Sequence, residues 1–242
     1  YSAFETKDLS ARGESVGGAV TTLINDESAV VGNPSLLGSI DKICFSITGA
    51  PVAFGLEDGA IYNMLVQGVY PIKGIGGIGV SFNGLFVNAD NMNLYNEFTL
   101  SLGYGYALLP VFQLGATIKV QKWNLGSAVT GDGIDDVLKN GTITYNLEVG
   151  FLYKPQNDIL ISLVGDNLIG MNIASGKTAE SIDSIPRSVK LGIGYISEIV
   201  RAAIDTEYEI DSKFINIYIG AEKYILNDML RLAGGVKLLN IQ

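Results

Sequence analysis

Thr142-Ile-Thr-Tyr-Asn-Leu-Glu-Val-Gly-Phe-Leu-Tyr153 is the stretch whose reading decides the fold. One set of alternate positions holds Ile143, Tyr145, Leu147, Val149, Phe151 and Tyr153; the other holds Thr142, Thr144, Asn146, Glu148, Gly150 and Leu152. A period of two sustained over this length is a β-strand with one apolar face. The same alternation recurs on both sides of it, through Phe98–Tyr106, Ala116–Val120, Ile159–Leu163, Val189–Tyr195, Ala202–Tyr208, Ile215–Ile219 and Leu230–Leu238. Less regular strands fit at 42–53, 59–72 and 74–87, which brings the total to eleven. Pro155-Gln-Asn-Asp158 and Leu226-Asn-Asp228 read as tight hairpin links. Longer links are expected at 88–95, 124–141 and 168–186, with one helical turn at Ile134–Lys139.

Composition narrows the function classes. Acidic residues number 25 against 16 basic ones, which argues against a nucleic-acid partner. The chain has no histidine, which removes Ser-His and Cys-His catalysis and the commonest metal ligand. The single cysteine, Cys44, has no internal disulfide partner and reads as a small wall residue. Gly131-Asp-Gly-Ile-Asp-Asp136 looks acidic enough for calcium but lacks EF-hand spacing. Asp205, Glu207 and Glu209 share a strand face, as paired catalytic carboxylates do, yet Lys190 and Arg201 stand ready to neutralise them. No nucleophile–base pair is evident, so the expectation is a non-enzyme with no cofactor and no metal. The opening, Tyr1–Ser10, has neither a basic start nor an apolar run and reads as an already processed chain.

Alternation alone fits both a soluble sandwich and a membrane barrel. No window of 18 apolar residues exists, so no transmembrane helix is expected. The polar faces favour the barrel. In a sandwich they would meet water and be crowded with Lys and Glu, whereas here they are mostly Gly, Ser, Thr and Asn. The apolar faces are bulky and often end in tyrosine, at Tyr104, Tyr106, Tyr153, Tyr195 and Tyr208, as an interfacial girdle requires. The expected fold class is therefore an all-β antiparallel transmembrane barrel at 41–242. Its lumen-facing charges would be Glu148, Asp166, Lys190, Arg201, Asp205, Glu207, Glu222 and Arg231. Glu222 is expected to pair with Arg231, and Lys190 with Asp205 or Glu207.

Residues 1–40 have no strand period. Asp26 is a plausible helix N-cap and Gly32-Asn33-Pro34 a stop, so the segment reads as compact and irregular. Arg12-Gly-Glu-Ser-Val-Gly-Gly-Ala-Val followed by Asn25-Asp-Glu-Ser-Ala-Val-Val-Gly-Asn-Pro-Ser-Leu-Leu37 resembles the opening of the FadL/PorV-like outer-membrane barrels. The matching positions are Arg12, Gly17, Gly18, Ala19, Asp26, Ser28, Ala29, Asn33, Pro34 and Leu37. Two later stretches, Tyr145–Lys154 with Asp166–Gly170 and Ile185–Tyr195, and Asp205–Tyr208 with Gly220–Gly235, look like the PorV/PorQ branch.

The resemblance implies an N-terminal plug at 1–40, fourteen strands, and a location in the outer membrane with lipid as the first partner. It also implies a non-enzymatic role in type IX protein secretion, with large translocon and secreted cargo as partners. The loops 88–95, 124–141 and 168–186 would be the contact surfaces. Two alternatives stand beside it: a FadL-like channel for hydrophobic solutes, or a structural barrel of an envelope assembly. An apolar lumen would favour the channel, and the inward charges count against it. Those charges serve either to select solutes or to form a lattice that stiffens the wall.

Overall fold

The computed structural model describes residues 10–53, 59–89, 92–126, 141, 143–170, 185–226 and 229–241. Eleven strands follow one another in chain order: β1 (Cys44–Ala53), β2 (Gly59–Ile72), β3 (Gly76–Ala89), β4 (Met92–Leu109), β5 (Phe112–Leu125), β6 (Ile143–Tyr153), β7 (Ile159–Asp166), β8 (Ser188–Ile196), β9 (Val200–Glu209), β10 (Ile215–Ile225) and β11 (Leu230–Ile241). They form one sheet in which each strand pairs antiparallel with the next. The hairpin turns at one end are short, at 73–75, 110–111, 154–158, 197–199 and 226–229. Gly74 sits at the first of them with φ of 75°, a conformation only glycine adopts without strain. At the other end lie the long connections 126–142 and 167–187. One expected link is shorter than its composition suggests: β3 runs to Ala89 and β4 starts at Met92, so among the described residues of 88–95 all are strand, with Asn88 paired to Asn93.

The faces are inverted relative to a soluble protein. Along β4, Thr99, Ser101, Gly103 and Gly105 are buried while Leu100, Leu102, Tyr104 and Tyr106 are exposed. Ser101 is 0% exposed and its neighbour Leu102 is 59% exposed. The same inversion holds on β5, where Thr117 and Lys119 are buried and Ile118 is bare, and on β8 and β9. Water would not leave so many bulky apolar side chains uncovered around a polar interior, but lipid does. Tyr104, Tyr153 and Tyr195 sit on the outer face near the short turns, and Tyr62, Tyr145 and Tyr208 near the opposite ends. From Tyr145 to Tyr153 is roughly 27 Å along the strand, or about 20 Å along the membrane normal at the usual tilt. That spacing suits two interfacial girdles. Accordingly, Leu102→Lys is expected to destabilise the folded wall by about 2–4 kcal/mol. Ser101→Ala, one residue away on the inner face, should cost far less; urea titration of folding in lipid vesicles measures both.

Residues 10–40 hold α1 (Ala11–Ser15), α2 (Ala29–Gly32) and a 3-10 turn (Pro34–Ser39). Val16, Ala19, Val20, Leu23, Ile24, Ala29, Leu36, Leu37 and Ile40 make their own apolar core, against Val69, Leu152, Leu160 and Ala203 of the wall. This short segment touches every strand from β2, where the Ser28 hydroxyl reaches Gln67 at 3.3 Å, to β11, where Lys237 pairs with Glu14 at 2.6 Å. A sheet of ten consecutive strands can meet one thirty-residue segment only by curling round it. The sheet is thus a barrel wall with the segment in its lumen. Among the described residues, β1 and β11 each pair with a single neighbour.

The expected helix start at Asp26 is corrected. α2 begins at Ala29 with Ser28 before it, and the Asp26 carboxylate accepts from the Ser28 N–H at 3.0 Å and is otherwise committed to Arg12. Nor does Asn33-Pro34 simply end the helix. Asn33 is extended, as a residue before proline prefers, and its side chain caps the 3-10 turn by accepting from Ser35 N at 3.1 Å.

Candidate functional site

Two glycine platforms hold the lumenal segment. On β3–β6 the inner-face glycines Gly77, Gly79, Gly103, Gly105, Gly115 and Gly150 lie under residues 30–38. A Cβ at Gly115 would overlap the Pro34 carbonyl and Ser35 N; one at Gly105 would overlap Pro34 O and lie 2.7 Å from Gly38 N. On β8–β11, Gly192 and Gly194 face Thr21 and Thr22, Gly220 faces the Val16 carbonyl, and Gly235 faces Gly17. Gly17 and Gly18 themselves have φ of 63° and 80°, which brings their backbone against Gly235 and the Tyr218 ring. Chain meets chain with no side chain between.

Polar contacts fix the orientation. The Arg12 guanidinium donates to Glu222 through Nη2 at 2.5 Å and Nε at 3.2 Å, and to Asp26 through Nη1 at 2.6 Å. Arg231 meets the same Glu222 at 3.0 Å and Arg201 approaches it at 3.9 Å. Burial works against the Arg12 charge, but Glu222 and Asp26 outweigh it and hold the guanidinium protonated well above its ordinary range. Asp205 accepts from Thr21 N at 2.9 Å and Thr21 Oγ1 at 2.7 Å. Asn33 Nδ2 donates to the Thr21 carbonyl at 2.8 Å, tying the two halves of the segment together.

Between this segment and the long-connection end lies a chamber of about 640 Å³. Gly18, Val20 and Val31 form its floor, while Ser212, Phe214 and Pro186 lie toward its mouth. Its wall carries an alternating charge lattice: Lys119 Nζ stands 2.8 Å from Glu148 and 2.7 Å from Asp166, and Lys190 Nζ 3.5 Å from Asp166 and 3.8 Å from Glu207. Glu207 also accepts from Ser188 Oγ at 2.8 Å and Tyr218 Oη at 2.6 Å. At the mouth, Arg187 pairs with Asp211 at 2.6 Å and holds that carboxyl below the usual range. A depressed carboxylate stabilises above its unfolded value, about 3.9, and loses that contribution as pH falls through the folded one. Acidification below about pH 4 is therefore expected to free 185–187 from the β9–β10 connection, seen as faster amide exchange at Arg187.

The sequence-derived residues fall into three places. Arg12, Gly17, Gly18, Ala19, Asp26, Ala29, Asn33 and Pro34 all lie in the lumenal segment, Ala19 and Ala29 wholly buried in its core. Glu148, Asp166, Lys190 and Glu207 join in the chamber lattice. Arg201, Glu222 and Arg231 gather at Arg12. Asp205 is not a partner of Lys190, since it lies one inner-face row away, opposite Gly192, and binds Thr21. Lys119 is a further lattice cation outside the expected set, and its alternation with Thr117 and Gln121 is the signal that places it on the inner face. In sequence the glycine platforms show only as part of a polar face. Gly131–Asp136 and Ile134–Lys139 lie outside the described residues, as do 127–140 and 171–184, most of the two long links. Among the described residues, no group of three potential ligands gathers to hold a metal.

An all-β antiparallel sheet curled round an N-terminal segment, apolar outside and polar within, has the fold of the FadL/TodX-type outer-membrane barrels. The toluene transporter TodX of Pseudomonas putida is similar with a TM-score of 0.65 at 11% identity, over 100% of this chain and 86% of that one. A FadL homologue of Pseudomonas aeruginosa gives 0.58 at 12% identity, over 88% and 75%. A TodX deltaS2S3 mutant, named as a monoaromatic hydrocarbon channel, gives 0.65 at 11%, over 97% and 84%. At these identities the likeness is one of fold. No protein-family profile and no curated protein matches the sequence.

Proposed function

We propose that this chain is a non-enzymatic solute channel of the outer membrane, closed toward its short turns by its own residues 10–40, which act as a plug. The observation that carries this reading is a lumenal segment in contact with ten strands, beside a chamber lined by residues toward the long-connection end. Short turns usually face the periplasm and long loops the outside, so the chamber would receive solute from outside. The neighbours' names, a toluene transporter and a hydrocarbon channel, support a transport role over the secretion shuttle. The type IX reading rests on the sequence resemblance, and of its three contact loops one is strand. A hydrocarbon path through the lumen is disfavoured by the charge lattice, because an apolar solute would strip water from buried ions without replacing it.

The wall also needs closure. Lipid does not tolerate unpaired ladder groups, so further strands between β1 and β11, fourteen in all as the resemblance implies, would complete the barrel. The test of the channel reading is solute flux into liposomes carrying the protein purified from outer membranes, compared with a variant whose plug is sterically displaced. Faster flux through the displaced variant is expected. If no solute passes through either form, the reading fails.

A further inference from the structure

We infer that the outer wall carries a site for one phospholipid, with an acyl chain lying in a trough across β8–β11 and the phosphate on Lys223. The inference needs only a wall that faces lipid and is independent of the channel reading. The trough has a volume of about 670 Å³ and an apolar lining. One bank is a ridge of branched side chains, Ile193, Ile204, Ile219 and Val236, paired in register across the four strands. The bed is the next outer row, Ala202, Ala221 and Gly234, also in register, and Tyr195 closes its β8 end. Beyond the bed lies the outer row Val200, Lys223 and Leu232, which stands roughly 13 Å along the strands from the ridge. The bed is not small for any reason inside the barrel. Gly194, Gly220 and Gly235 of the inner row are small because the lumenal segment sits on them, but Ala202, Ala221 and Gly234 point the other way. A Cβ at Gly234 would meet nothing within 4 Å, whereas the outer-face glycines Gly68 and Gly84 lie against the rings of Phe45 and Phe86.

Charge decides the occupant. Lys223 is exposed on the outer face, third from the end of β10 and so close to the short-turn rim, where an ammonium reaches lipid headgroups. The outward positions of β9, β10 and β11 hold no Asp or Glu, and among the described residues Lys223 makes no ion pair. A second copy laid on the same strands would therefore offer Lys223 no counter-charge, and a free hydrocarbon would offer none either. A phospholipid supplies both parts, a chain for the bed and a phosphate for the ammonium. The direction of the bed fits as well. Ala202 is the third residue of β9 and Gly234 the fifth of β11, so the bed runs from the short-turn rim toward the middle of the wall, as a chain hanging from its headgroup does.

Native mass spectrometry of the intact protein in mild detergent tests this, with dioleoylphosphatidylglycerol, dioleoylglycerol and glycerol 3-phosphate as separate probes. One phosphatidylglycerol is expected to bind saturably, at least about tenfold more tightly than dioleoylglycerol, which has the chains without the phosphate. Glycerol 3-phosphate, the phosphate without the chains, should not be retained. Lys223→Gln and Ala221→Leu should each weaken phosphatidylglycerol binding about tenfold, the first by removing the charge and the second by filling the bed. Ala116→Leu, at an exposed outward position of β5, should leave it unchanged. Lys223 and Ala221 are both exposed, so neither change disturbs a packed interior, and heat-dependent gel mobility checks the fold of each variant. Equal retention of lipid by the unaltered protein and both trough variants would mean unspecific annular lipid and overturn the site. Dioleoylglycerol binding as tightly as phosphatidylglycerol overturns the role of Lys223, and glycerol 3-phosphate binding as tightly overturns that of the trough. A lipid-free dimer that Ala221→Leu breaks would give the trough to a second copy and overturn the inference. The channel reading is judged separately, by flux.

Discussion

Gly105→Val combined with Gly115→Val is expected to unseat the proposed plug, residues 10–40, and leave the wall standing. Both residues lie on inner strand faces with no left-handed φ, so valine suits their own backbone. The conflict is with the plug. The new Cβ atoms would overlap Pro34 O and Ser35 N, and backbone atoms cannot rotate aside as a flexible side chain would. Overpacking of this kind costs about 1–3 kcal/mol per site, and the upper end applies where the obstacle is main chain. Even one site's loss of about 3 kcal/mol raises the undocked population roughly 150-fold. Liposome flux should rise accordingly, and protease should reach residues 30–38. Gly234→Val is the control, since its Cβ would meet nothing within 4 Å on the outer face. Unchanged flux and unchanged cleavage in the double variant, with the fold intact, would show that the glycines do not seat the plug.

The strands were legible because each has two unlike faces, and a period of two needs only one strand to be seen. Tyr145 and Asn146 belong to opposite environments whatever their neighbours do. The inner glycines were not legible in the same way. Gly105 and Gly115 satisfy a small-or-polar face as well as serine does, and their use appears only when Pro34 arrives from residues remote in sequence. The two acids in reach of Lys190 were not told apart for a related reason. Lys190 had Asp205 and Glu207 in reach by alternation, but the antiparallel register puts Lys190 opposite Glu207 and gives Asp205 to Gly192, leaving its carboxylate free for Thr21. Residues 88–95 misled through composition. Asn88, Asn93 and Asn96 look like turn formers, yet Asn93 and Asn96 hydrogen-bond each other, and Asn93 bonds Asn88, at the strand ends. Turn propensity is a weak prior when side chains can satisfy one another.

Arg12→Met should release the first half of the plug while the second half stays seated. Arg12 places one fork of its guanidinium on Glu222 and another nitrogen on Asp26, a geometry lysine cannot copy with a single ammonium. Removing it leaves Glu222, whose side chain is 0% exposed, with Arg231 at 3.0 Å and the more distant Arg201. Breaking a buried pair costs about 3–5 kcal/mol when one charge is stranded, and Arg231 brings the expectation to the lower end, about 3 kcal/mol. Amide exchange at Glu14, Val16 and Gly18, whose N–H groups bond to Ser10, Arg12 and Gly13, should speed by about two orders of magnitude. Exchange at Ser35 and Leu36, held by Asn33 and the glycine platform, should not change. Arg12→Lys should restore only part of the loss. Combining Arg12→Met with Glu222→Gln should recover some of it, because the stranded charge goes with its partner, giving a coupling of about 1–3 kcal/mol. Uniform acceleration across both halves would mean that the plug leaves as one body and that the Arg12 cluster and the glycine platforms are one lock.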